Sequence, residues 1–307
     1  MELSGMQLTS GFTFTPQPPA ENTAAWFGGG NPGAMSTVQR ITYATDTATA
    51  SVRGPLSGAR YSLAAASNFT DGWFGAGFNP GFSSTVQRIT YATDTDTASV
   101  RGPLSLARFG LAAAGNSTDG WFGAGFNPSY SSTVDRITYA TDTATASVRG
   151  PLSLARYALA AAGNTTDAWF GGGTFGSPVS TVDRITYATD TATASIRGPL
   201  SLVRYDLAAA GNSTDGWFGG GNTGAMSTVN RITYATDTAT ASVRGPLSVA
   251  RAALAAAGNT TDAWFGGGYG PLSTVDRITY ATDTATASVR GPLSVVRCFL
   301  AAAGGTQ

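Results

Sequence analysis

An all-β fold, closed as a six-bladed β-propeller of four-stranded blades, is what three features of this sequence predict. Trp26, Trp73, Trp121, Trp169, Trp217 and Trp264 recur at intervals of 47 or 48 residues, each opening a Trp-Phe-Gly triplet. Each interval holds four short β-forming runs punctuated by Gly, Asn or Asp. The last copy stops at Leu300-Ala301-Ala302-Ala303-Gly304, a first strand with no second strand after it, whereas the first copy begins at its second strand. The C-terminal strand is therefore expected to join the N-terminal blade, leaving no open sheet edge.

Within the fourth copy the elements follow in order. Residues 156–162 (RYALAAA) predict strand A, placed innermost because only Ala and Gly fit where six strands crowd one axis. Residues 163–167 predict a turn, 168–172 (AWFGG) strand B, and 180–188 (STVDRITYA) strand C. After a turn at 189–191, strand D spans 192–197 and ends before Gly198-Pro199, because proline cannot continue a ladder. The propeller takes residues 22–307. Residues 1–21 are set apart as an N-terminal arm, stiffened by Pro16, Pro18 and Pro19.

Composition excludes much chemistry. The chain has no His and no Lys, so imidazole-based nucleophile systems, His-ligated metals, lysine Schiff bases and P-loops are all absent. Cys298 is the only thiol, so no disulfide can form within the chain. No metal and no cofactor is expected. No apolar run approaches the roughly 18 residues of a membrane helix, and the N-terminus lacks the pattern of a secretory signal, so neither membrane insertion nor export is expected. The Asn-x-Thr/Ser triplets at Asn68, Asn116, Asn164, Asn212 and Asn259 fall in A-to-B turns, where Asn and Thr serve the backbone.

All 18 basic residues are arginines in three series, one from each series per copy. The series of Arg184, in mid-strand C, and of Arg197, at the end of D, read as structural, paired with carboxylates or carbonyls between blades. Strand alternation puts all three series on the half carrying the D-to-A and B-to-C connections, here called the top, with only Asp135, Asp183, Asp206 and Asp276 beside them. Twelve aspartates go to turns on the opposite face. The expectation is a top face of +14 against a bottom of −12, inside a chain of zero net charge.

Differences among the copies concentrate on the top. The B-to-C loops read NPGAM, FNPGFS, FNPSYS, TFGSPV, NTGAM and YGPL, while the bottom turns barely vary. Phe78, Phe82, Phe126, Tyr130, Phe175 and Tyr269 in these loops are candidate ligand contacts, as are Tyr61, Phe109, Tyr157 and Tyr205, which follow the third Arg series. Aromatic rings of this kind suit sugars or peptides.

Three pieces of each copy carry a family resemblance: Trp169-Phe170-Gly171-Gly172, Tyr187-Ala188-Thr189-Asp190, and Gly198-Pro199-Leu200 leading to Arg204. Over residues 22–304 the chain resembles kelch repeats. It departs from them in lacking a strand-D Trp and in reading Gly-Ala-Gly at residues 75–77 and 123–125. In kelch propellers that bind acidic motifs, the Arg opening strand A faces the central mouth. The resemblance therefore implies a ligand-binding ring of Arg60, Arg108, Arg156, Arg204, Arg251 and Arg297. The near-identity of the copies is similar to kelch-like repeat proteins of tailed phages.

The expectation drawn is a non-enzymatic binding module on a virion surface. It recognises a host-surface glycan or an acidic peptide, docks to virion or scaffold proteins through its arm, and takes no nucleic acid. The alternative is a structural building block whose oppositely charged faces stack head to tail.

Overall fold

A computed structural model describes residues 23–304; the expected arm at 1–21 lies outside them. Six four-stranded antiparallel sheets surround one axis. In the fourth blade, strand A is Ala160–Gly163, B is Asp167–Gly171, C is Val182–Thr186 and D is Ser195–Arg197. Ring closure is as expected: Ala301–Ala303 pairs with Ala24–Gly28, setting Trp26 opposite Ala303 and Gly28 opposite Ala301.

Two boundaries differ from the sequence reading. Strand A begins at Ala160 rather than at 156, because Ala158 adopts φ +59° and turns the chain before the ladder starts. Strand C ends at Thr186, and Tyr187–Thr189 forms a single 3-10 turn that leads into Asp190. In strand A the flanking alanines are buried and the middle one, Ala161, is half-buried along the axial channel. Small side chains there let the six inner strands approach.

The blades are locked together by one repeated clasp. Trp169 stacks on Tyr234 of the next blade at 3.8 Å and 7°. The carboxylate of Asp237 accepts from the Trp169 indole at 2.8 Å and from Arg184 at 3.1 Å, and Arg197 lies 3.5 Å away. The same set closes the ring, where Trp264, Arg277 and Arg290 meet Asp46. The Arg184 and Arg197 series are thus inter-blade ties, as the sequence reading held. Their burial with a carboxylate satisfies charges that would otherwise be costly.

These pairs overturn the expected separation of +14 from −12. Arg184 reaches Asp167 in its own A-to-B turn as well as Asp237 of the neighbour. Cations and anions are interleaved through the ring rather than sorted onto two faces, because the long Arg stems carry their heads to the bottom turns. The A-to-B turns are Asx turns: Asn164 Oδ1 accepts from the backbone N–H of Thr166 and of Asp167, both at 2.9 Å.

Candidate functional site

The strand-A arginines are not displayed at the mouth. Arg108, Arg156, Arg204 and Arg297 are 0% exposed, Arg251 1% and Arg60 4%. The left-handed residue two places later swings the chain to the axis, so the Arg side chain runs outward into its own blade, under the base of the B-to-C loop. Arg108 donates to the Phe122 carbonyl at 3.0 Å and pairs with Asp135 at 2.9 Å. Arg156 repeats this with Phe170 and Asp183, and Arg251 with Phe265 and Asp276. The expected surface ring is corrected to a set of buried struts.

The six struts are not equivalent. Gln39, Gln87 and Asn230 occupy the strand-C position held elsewhere by Asp135, Asp183 and Asp276. Arg297, Arg60 and Arg204 therefore lack a carboxylate and rely on carbonyls, as in Arg297 to Gly29 and to Thr37, both at 2.9 Å. Burial pushes Arg60, Arg204 and Arg297 down to about 10. In Arg108, Arg156 and Arg251 burial also lowers the pKa, and the paired aspartate opposes it.

The aromatic candidates do come together. Whereas Ala252 accepts a single bond from Tyr269, in the other five blades the residue after the strut forms a two-bond backbone bridge to a residue of the B-to-C loop, as in Phe126 N–H to the Phe109 carbonyl at 2.9 Å and the reverse at 3.3 Å. That bridge sets the two rings side by side, and a second bridge within the loop brings in Phe82 or Tyr130. Successive ring contacts at 5.4–6.4 Å then link Tyr61, Phe78, Phe82, Phe109, Phe126, Tyr157, Tyr130 and Phe175 across three blades. Phe82 and Phe109 lie parallel within 3°.

The crescent continues the other way through Phe299, which meets Tyr61 and Tyr269, each at 6.4 Å. Phe82 is 36% exposed, Phe175 51% and Tyr269 70%, so the crescent presents ring faces and edges to solvent. Tyr205 stands apart, its hydroxyl accepting from Asn222 at 3.0 Å. The crescent breaks there because the fifth blade offers Asn222 where the second and third blades carry Phe78 and Phe126.

Two residues of this face escaped the sequence reading as ligand candidates. Phe299 and Asp206 sit where strand A was expected, in the turn that precedes it. Ser62, Gly110, Ala158, Asp206, Ala253 and Phe299 all have φ between +53° and +66°. Each donates its N–H to the carbonyl of the preceding blade's counterpart, at 2.6–2.8 Å, from Ser62 to Phe299 round to Phe299 to Ala253. Six backbone bonds thus close a circle around the top of the channel. The signal in the sequence was variability, since these six positions carry five residue types beside invariant Leu.

Asp206 is the one carboxylate on that circle, and burial pushes it up to about 6. Burial raises its neighbours Tyr157 and Cys298 as well, with the Asp206 charge adding to each. Among the described residues no helix is long and apolar enough to cross a membrane. No protein-family model and no curated protein matches this chain, which on its structure is a six-bladed β-propeller of internal repeats.

Proposed function

We propose that the chain is a non-enzymatic binding module that takes a carbohydrate across the aromatic crescent. The observation that carries this reading is the unbroken run of partly exposed rings from Tyr61 to Phe175, built on bridged backbone. Flat aromatic faces in a shallow arc suit the C–H faces of sugar rings. Burial of Arg60, Arg108, Arg156, Arg204, Arg251 and Arg297 removes the basis for an acidic ligand. Interleaved ion pairs likewise remove the charge complementarity behind head-to-tail stacking.

The setting proposed with it is the one the sequence resemblance implies. A kelch-like, virion-borne propeller displays the crescent to a host-surface glycan and docks through residues 1–21. Near-identical copies that differ mainly in the top loops support that setting. The reading is tested by binding the full chain to an array of neutral, amino and acidic glycans. Phe82→Ala and Tyr130→Ala are expected to abolish the hits while leaving the melting temperature within a few degrees of the parent. An array without hits at low and high salt sinks the reading.

A further inference from the structure

We propose that Asp206 anchors a protonated amine, so that the glycan read by the crescent carries a free amino group. This rests on the glycan reading above and narrows it.

Fourteen of the sixteen described aspartates pair with arginine, and the exceptions are Asp96 and Asp206. Asp96 lies in a bottom turn. Asp206 lies on the top axis, and among the described residues no hydrogen bond or ion pair reaches its carboxylate. It lines an axial depression of ≈ 60 Å³ together with Phe299 and the leucines that immediately precede strand A, including Leu159 and Leu207. An ammonium head is about the size of a water molecule, and a space of this size holds one. Phe299 joins the depression to the crescent through Tyr61. The body of a saccharide on the rings and its amine over the axis are thus contiguous positions.

The fold does not demand a carboxylate here. Ser62, Gly110, Ala158, Ala253 and Phe299 hold the same backbone conformation and make the same circle of bonds. Nor is the charge neutralised by its surroundings. Arg204 turns its guanidinium to the Gly220 and Thr228 carbonyls at 3.1 and 2.8 Å. Tyr157, from the preceding blade, and Cys298, from the first blade across the axis, are the titratable groups that feel the Asp206 charge; both are raised by burial and stay neutral at pH 7. A cation held between an unpaired carboxylate and the Phe299 ring gains from both.

The test is calorimetric titration of the full chain with a glucosamine tetrasaccharide, its N-acetylated counterpart and a neutral glucose tetrasaccharide. At pH 7 the free amine is expected to bind about tenfold tighter than the acetylated form, the equivalent of one partly desolvated ion pair. Asp206→Asn and Asp206→Ser, the latter copying Ser62, are expected to bring that ratio to about one without weakening the acetylated ligand. The preference is also expected to vanish at pH 4.5, where Asp206 is protonated. Equal binding of amine and acetylated forms by the parent overturns the inference and leaves the glycan reading standing. Failure of all three saccharides to bind overturns both.

Discussion

Trp169 and Asp237 belong to adjacent blades and are joined by a 2.8 Å hydrogen bond from indole to carboxylate. That single oxygen also receives Arg184 at 3.1 Å and faces Arg197 at 3.5 Å, so one carboxylate gathers three donors at the blade interface. Asp237→Ala is expected to destabilise the fold by about 3 kcal/mol, since it leaves the part-buried Arg197 without a counter-ion, Arg184 with Asp167 alone and the Trp169 indole without its acceptor. Urea unfolding checks this, and a change below about 1 kcal/mol sinks the clasp as a major tie.

The six buried struts supply paired experiments of opposite sign. Asn230→Asp places a carboxylate beside Arg204, whose Nη2 has no partner, and is expected to stabilise by about 1 kcal/mol. Asp183→Asn takes the partner from Arg156, now held at 2.8 Å, and is expected to cost about 2 kcal/mol. Shifts of the same sign in both variants refute this account of the struts.

Strain at the end of strand B predicts a gain from a smaller residue. Ala124 has φ +67° where the fourth blade places Gly172 at φ +71°. At Gly172 an added Cβ comes within 2.7 Å of the Arg204 carbonyl. Ala124→Gly is expected to raise stability by about 1 kcal/mol, measured as a higher denaturation midpoint. A lower midpoint shows that the alanine is relaxed.

Asp206 predicts a pH dependence whose sign is fixed by its environment. Its folded pKa stands near 6, above the ordinary carboxylate value. Between about pH 4 and 6 the folded chain therefore holds a proton that the unfolded chain has released. The contribution of this group to stability is full below that window and falls as pH rises through it. Asp206→Asn is expected to be more stable than the parent by about 1 to 2 kcal/mol at pH 7, and equal to it near pH 4. Parallel melting curves for the two proteins across this range exclude a desolvated carboxylate.

Much of the architecture was legible in the residues themselves. The Trp-Phe-Gly period sets the number of blades, Ala160, Ala161 and Ala162 mark the strand that must fit the axis, and the unpaired last strand dictates closure. These are local properties of spacing and side-chain size, which a repeated sequence states six times. The aromatic face was legible too, because its rings are the variable residues of variable loops.

What only the tertiary structure decided was direction. Arg156 precedes strand A, but the left-handed turn at Ala158 sends its guanidinium into the blade toward Asp183, 27 positions along the chain. Arg184 and Arg197 reach across to Asp237, which undoes a charge separation inferred from the strand ends alone. The circle of six backbone bonds exists only once all six blades are in place, and with it the isolation of Asp206. A sequence specifies which groups must be satisfied, whereas the partners that satisfy them, and the carboxylate of Asp206 left without one on the top circle, depend on how blades meet in space.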